Sequence, residues 1–127
     1  MAILLDTQVL IWLEESPSLI SERLRERISN EANTFFSMSS VWEMAIKLKT
    51  GKLSIAQPLA IFVDGLRKDY SFKLLEISLD HVYHTQQLPL HHRDPFDRLL
   101  ISQSIVESIP IISSDSIFDA YGIERVW

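Results

Sequence analysis

Four acidic residues stand where an α/β chain tends to place its chemistry. Asp6 follows the run Ala2-Ile3-Leu4-Leu5, and Asp115 follows Ile111-Ile112-Ser113-Ser114. Glu43 closes Ser40-Val41-Trp42-Glu43, and Asp97 closes Asp94-Pro95-Phe96-Asp97. Ligands of open α/β sheets bind beyond the carboxyl ends of the strands. Asp6 and Asp115 sit directly after strand-like runs, while Glu43 and Asp97 fall in first helical turns that lean over the same rim. Each acid also has a local explanation. Asp6 and Asp115 suit helix N-caps, Ser40 with Glu43 fits a capping box, and Asp94 with Pro95 and Asp97 makes a good helix start.

Asp97 strains that explanation. On helical spacing it shares a stripe with Leu100, Ile101, Ser104 and Ile105, the face expected to meet the core. Asp94 already serves as the cap. A carboxylate on an inward stripe must be protonated or compensated by a cation. No Lys or Arg lies inside an apolar run to pair with it, and Arg98, one residue on, points elsewhere. A bound ion is the simplest compensation. Clustered carboxylates select hard cations such as Mg²⁺ or Mn²⁺, which take oxygen ligands and are often shared with substrate phosphates. Such an ion lowers the pKa of a water and stabilises charge on a phosphodiester. The chemistry indicated is hydrolytic phosphoryl transfer without a protein nucleophile.

Alternating elements must position these groups. Strands are expected over residues 2–5, 34–37, 72–77, 110–113 and 123–126, from short apolar or β-branched runs. Helices are expected over about 7–14, from Ser18 or Ser21 to 31, 40–50, 58–70, 79–87 and 94–108, with a helical turn at 116–120. Strand–helix alternation predicts an α/β fold with a mainly parallel sheet and right-handed crossovers. No repeat or linker divides residues 1–127, so one domain is expected.

Composition removes several functions. There is no cysteine, hence no disulfide, Cys-ligated zinc, iron–sulfur cluster or thiol nucleophile. The net charge of −5 argues against loose phosphate binding by the chain's own field, which needs clustered Lys and Arg. No apolar run is long enough for a membrane span, and a cytoplasmic protein is expected. A P-loop lacks its glycines and a serine-hydrolase elbow is missing. His91 and His92 lack the spacing of a zinc site. They serve better, with Arg93 and Arg98, as phosphate or base contacts at a site mouth, or as plain surface. Lys47, Lys49 and Lys52 make a modest basic patch, and Glu43 with Lys47 is an i,i+4 pair. Trp12, Trp42 and Phe62 are core candidates before they are interface anchors.

Four segments together resemble the PIN-domain family, and more narrowly the VapC-type toxins of bacterial toxin–antitoxin pairs. They are Ile3-Leu-Leu-Asp-Thr-Gln-Val-Leu10, Ser39-Ser-Val-Trp-Glu-Met-Ala-Ile-Lys47, His92-Arg-Asp-Pro-Phe-Asp-Arg-Leu-Leu-Ile101 and Ser113-Ser-Asp-Ser-Ile-Phe118. The resemblance spans the chain, in order and with suitable spacing. It implies a three-layer PIN-like fold and a metal-dependent ribonuclease whose acidic quartet, Asp6, Glu43, Asp97 and Asp115, binds Mg²⁺ or Mn²⁺. Asp6 and Asp97 would be the primary ligands, with Glu43 and Asp115 completing the pocket. Asp94 is a rival for Asp97, and Thr7 with Ser39 or Ser40 would support the ligands. The resemblance also implies an RNA substrate, a small antitoxin partner and a homodimer. Two other functions are weighed against it: an interaction module whose acids are only caps, and a metal-dependent phosphatase.

Overall fold

Strand β1 (Ala2–Leu5) carries no polar side chain, as befits a strand covered on both faces. It lies at the centre of a five-stranded sheet of order β3-β2-β1-β4-β5, where Ile3, Leu4 and Leu5 are fully buried. The computed structural model describes residues 1–127. The other strands are β2 (Asn33–Ser37), β3 (Lys73–Leu75), β4 (Ile111–Ile112) and β5 (Arg125–Val126). All pairings are parallel, with Leu5 registered against Phe36 on one side and Ile112 on the other. Parallel neighbours need crossovers, and these are helical. They are α1 (Thr7–Glu15), α2 (Glu22–Asn30), α3 (Met38–Lys49), α4 (Leu59–Lys68), α5 (Leu79–Thr85) and α6 (Pro95–Glu107), with a 3₁₀ segment at Ser116–Tyr121.

Alternation along the strands divides the core between two faces. Ile3, Leu5, Phe36 and Ile112 pack with Val9, Leu10, Leu24, Met44 and Leu66 from α1 to α4. Leu4 and Ile111 face the other way, onto Leu100 and Ile101 of α6 and onto Phe118. Helices, sheet and helices make three layers, the expected α/β architecture. No helix is long and apolar enough to cross a membrane.

Local chemistry moved several boundaries. Helix α3 begins at Met38 rather than at Ser40, because the Ser37 hydroxyl accepts the Ser39 N–H at 3.0 Å and β2 runs straight into the helix. The expected Ser40–Glu43 capping box therefore does not form. Of the two serines offered for α2, Ser21 is the cap, accepting from the Leu24 N–H. Strand β3 is shorter than 72–77 because its flanks bond elsewhere. The Phe72 N–H goes to the Leu66 carbonyl at the end of α4, and the Glu76 carbonyl accepts from Gln103 of α6.

The chain leaves β1 toward β2 and β3 on one side and returns to β4 on the other. Connections diverge there, opening a crevice beyond the ends of β1 and β4. Asp6 follows the first of these strands, and Ser113 to Asp115 follow the second. Helix α6 supports the crevice from below and is buried continuously from Leu100 to Ser104. Replacing Leu100 by Ala should cost about 2–5 kcal/mol in urea unfolding, whereas exposed Val106→Ala on the same helix should cost less than about 1 kcal/mol.

Candidate active site

The crevice holds a cavity of about 280 Å³, lined on its polar side by Asp6, Glu43, Asp94, Asp97 and Asp115, with Lys47 as the one cation. All four acids singled out in the sequence meet there. Asp6 occupies the N-cap position of α1 but caps nothing. It is 7% exposed, and its Oδ2 accepts the Ser113 hydroxyl at 2.7 Å. Burial pushes its pKa up, against the lowering effect of that hydrogen bond, and the charges of Glu43 and Asp115 push it further. Because α3 starts early, Glu43 sits in the second turn and turns inward, 5% exposed. Its Oε2 takes the Lys47 ammonium at 2.8 Å, while its buried Oε1 has no partner at all. The Glu43 hydrogen bond holds Lys47 above its ordinary pKa.

Asp94 keeps the capping role, its Oδ1 accepting the N–H groups of Phe96 at 2.8 Å and Asp97 at 3.3 Å. Asp97 is thus free of the cap, and its pKa is pushed up to about 8. Burial is the largest cause, followed by the charges of Asp6, Asp94, Glu43 and Asp115. Asp115 is both cap and cavity wall: Oδ1 accepts from the Ile117 N–H at 3.0 Å, and Oδ2 faces His92 at 3.3 Å. The hydroxyls lie beneath: Thr7 donates to Ser40 at 2.7 Å, and Ser39 donates to the Phe96 carbonyl at 3.1 Å.

Several expectations are corrected. His92 is not a contact at the mouth. Its Nε2 lies 3.0 Å from Asp97 Oδ2 and 3.3 Å from Asp115 Oδ2. Sequence reasoning missed this role and that of Ser113. The available signal was the two-residue step from His92 to Asp94, which lets the Asp94 N–H reach the ring at 3.2 Å. Arg98 is also withdrawn from phosphate contact, because its guanidinium donates to the carbonyls of Thr85, Leu88, Pro89 and His92 and so clips their loop to α6. Trp42 is not core: it is 55% exposed and meets Phe96 edge-on at 5.1 Å. Phe62 is buried as expected, and Trp12 lies against Trp127.

A hard divalent cation fits this donor set. The converging groups offer oxygen, Glu43 Oε1 is an unsatisfied buried acceptor, and Lys47 is too little positive charge for so many carboxylates. An ion would supply the missing partner and favour the ionised form of Asp97.

The family model of the PIN domain matches residues 3–124, and the chain belongs to that family. PIN domains are nucleases as a class and use divalent metal ions. Compared with curated protein sequences, the chain matches none. Among solved structures, VapBC2 from Rickettsia felis bound to a promoter DNA fragment is similar with a TM-score of 0.76 at 12% identity, covering 99% of this chain and 98% of that one. DNA-bound VapBC from Salmonella typhimurium gives 0.73 at 17% identity, over 99% and 97% of the two chains. FitAcB from Neisseria gonorrhoeae gives 0.70 at 17%, over 98% and 96%. At such identities the likeness is one of fold.

Two consequences can be measured. Asp97 keeps its proton in the folded, metal-free protein up to about pH 8 but releases it near 3.8 when unfolded. The folded state then binds more protons between those values, so its stability is greatest below about pH 4, declines as pH rises from there and levels off above about 8. Asp97→Asn, which mimics the neutral form, should melt close to wild type in EDTA below about pH 4, gain on it as pH rises, and melt several degrees higher above about pH 8. Arg98→Ala should cost about 1–3 kcal/mol in urea unfolding by freeing the clipped loop, while Arg93→Ala, exposed beside it, should cost under about 0.5 kcal/mol.

Proposed function

We propose that this chain is a Mg²⁺- or Mn²⁺-dependent endoribonuclease, the toxin component of a toxin–antitoxin pair. The observation that carries the reading is the convergence of Asp6, Glu43, Asp97 and Asp115 on one cavity with Glu43 Oε1 buried and unpaired. Of the four, only Asp115 accepts a capping N–H at its carboxylate, so caps do not account for the set.

In this reading Asp6 and Asp97 are the primary ligands, and Glu43 and Asp115 complete the pocket. A bound divalent ion supplies Lewis acidity toward a phosphodiester oxygen and makes water a better nucleophile near neutral pH. The chain's own residues do the rest. The Ser113 hydroxyl fixes the rotamer of Asp6, and the Ile117 N–H fixes that of Asp115. Asp97 holds a proton at its carboxyl until a cation replaces it. Lys47, half-exposed at the rim, places a positive charge where a substrate phosphate would arrive, and exposed Lys49 and Lys52 extend it along the surface. The antitoxin partner is supported by the fold shared with VapBC proteins, and pairing into homodimers and a cytoplasmic setting belong to the same reading.

The test is cleavage of a mixed panel of structured and single-stranded RNAs with Mg²⁺, with Mn²⁺ and with EDTA. Wild type should cut only with metal, and an Asp6→Asn/Asp97→Asn protein should fall to the EDTA level. Mg²⁺ should raise the melting temperature of wild type and leave that of Asp97→Asn unchanged. Mg²⁺ binding without RNA cleavage, but with turnover of a mononucleotide, would favour a phosphatase. Absence of any metal effect would favour the interaction module.

A further inference from the structure

His92 has no assigned part in the proposed reaction, yet more of the local structure converges on it than on any acid. Its backbone N–H donates to the Tyr121 hydroxyl at 2.6 Å, and that hydroxyl donates to the Pro89 carbonyl at 2.9 Å. Arg98 holds the His92 carbonyl at 3.2 Å. The imidazole lies against Phe118 with ring centroids 5.9 Å apart. These contacts leave the ring little freedom to rotate.

Its tautomer follows from its partners. Nδ1 lies 3.2 Å from the Asp94 N–H and accepts from it, so Nδ1 carries no proton. The ring proton is then on Nε2, which faces Asp97 Oδ2 at 3.0 Å and Asp115 Oδ2 at 3.3 Å. The N–H donates to Asp115, from the segment after β4, and Asp97 of α6 lies within polar contact of the same nitrogen. The three atoms lie within 4.8 Å of one another, a spacing that would also suit three ligands of one ion. A nitrogen that carries its proton does not ligate, and the Asp94 N–H fixes the proton on the side facing the acids.

We propose that His92 is a positioning residue: its Nε2–H donates to Asp115 Oδ2 and lies 3.0 Å from Asp97 Oδ2, and so holds the two carboxylates in the orientation that presents the free oxygen of Asp97, beside Asp6 and Glu43, to a divalent cation. Without that contact, the two acids, carried by different elements, would have no shared partner to fix their orientation. The Arg98 clip and the Tyr121 hydroxyl then have a common purpose, since both fix the loop that aims the ring. Partners that orient metal-binding carboxylates in this way matter about as much as the ligands themselves. The inference rests on the metal site proposed above.

The experiment is a Mn²⁺ titration of wild type, His92→Ala and His92→Gln, reading free Mn²⁺ by its EPR signal, with pulsed EPR on the wild-type complex. Gln places an amide N–H near the position of Nε2–H. Expected are a loss of affinity of about tenfold or more in His92→Ala, recovery of most of it in His92→Gln, and no directly coordinated nitrogen in the pulsed spectrum. Equal affinity in all three proteins overturns the inference while leaving the metal site standing. A coordinated imidazole nitrogen, or a His92→Gln protein as weak as His92→Ala, makes His92 a ligand instead and also overturns it. A wild-type protein that binds no Mn²⁺ overturns the metal site, and this inference with it. Should His92→Ala fail to fold, Tyr121→Phe, which removes the hydroxyl that anchors the loop, is expected to weaken Mn²⁺ binding severalfold with the ring intact. Unchanged binding there overturns the inference.

Discussion

Mutual repulsion among carboxylates held in one small cavity is the constraint on which the rest of this structure depends. Asp6, Glu43, Asp94, Asp97 and Asp115 share a space of about 280 Å³ with one lysine. Left to themselves, such groups would separate toward water or take up protons, and the Asp97 pKa, raised first by burial and then by its neighbours' charges, records the second response. Folding must therefore supply enough binding elsewhere to hold them in place. It does so by giving the acids polar contacts of their own. Ser113 holds Asp6, Lys47 holds Glu43, His92 reaches Asp97, and the Ile117 N–H holds Asp115.

The scaffold makes that arrangement tolerable. A parallel sheet is covered on both faces, so its central strand can be wholly apolar and rigid, and its carboxyl end becomes a fixed reference point. The crevice beside that end is concave before any side chain is placed, because the connections on either side run apart. Helix α6 adds the second fixed surface. Its continuous burial from Leu100 to Ser104 lets its first turn carry Asp97 without fraying, and Asp94 with Pro95 sets where that turn begins. The Arg98 clip shows the same economy in the loop: one guanidinium donates to four of its carbonyls.

A site of this kind trades stability for binding. Buried like charges lower the stability of the metal-free protein, and a cation that relieves them binds with that energy as part of its affinity. The unpaired Glu43 Oε1 is the plainest mark of the trade. A protein selected only for stability would have satisfied or removed it. The tension between the apolar core and the acidic crevice accordingly lies at the boundary between β1 and Asp6, within a single residue step.

Much of this was legible in the residues. Apolar runs bounded by Gly, Pro and Asp marked the strands, helical spacing set Asp97 on the core stripe beside Leu100 and Ile101, and the order of motifs brought four acids to one rim. These are local signals, because hydrophobic period and capping chemistry act over a few residues. One local cap was misplaced, and two features depended on contacts between distant segments. The Ser37 cap shifted the start of α3 and so freed Glu43 from the capping box that its sequence spells. Ser113 found Asp6 across 107 residues, and His92 found Asp97 and Asp115 only once the loop was clipped to α6. The sequence by itself determined which side chains would be acidic, which elements would carry them and which end of the sheet they would reach. Only the tertiary structure decided which oxygens would be paired and which left open, because a hydrogen-bond partner is chosen by distance and direction in space, and neither is written in the spacing of residues along the chain.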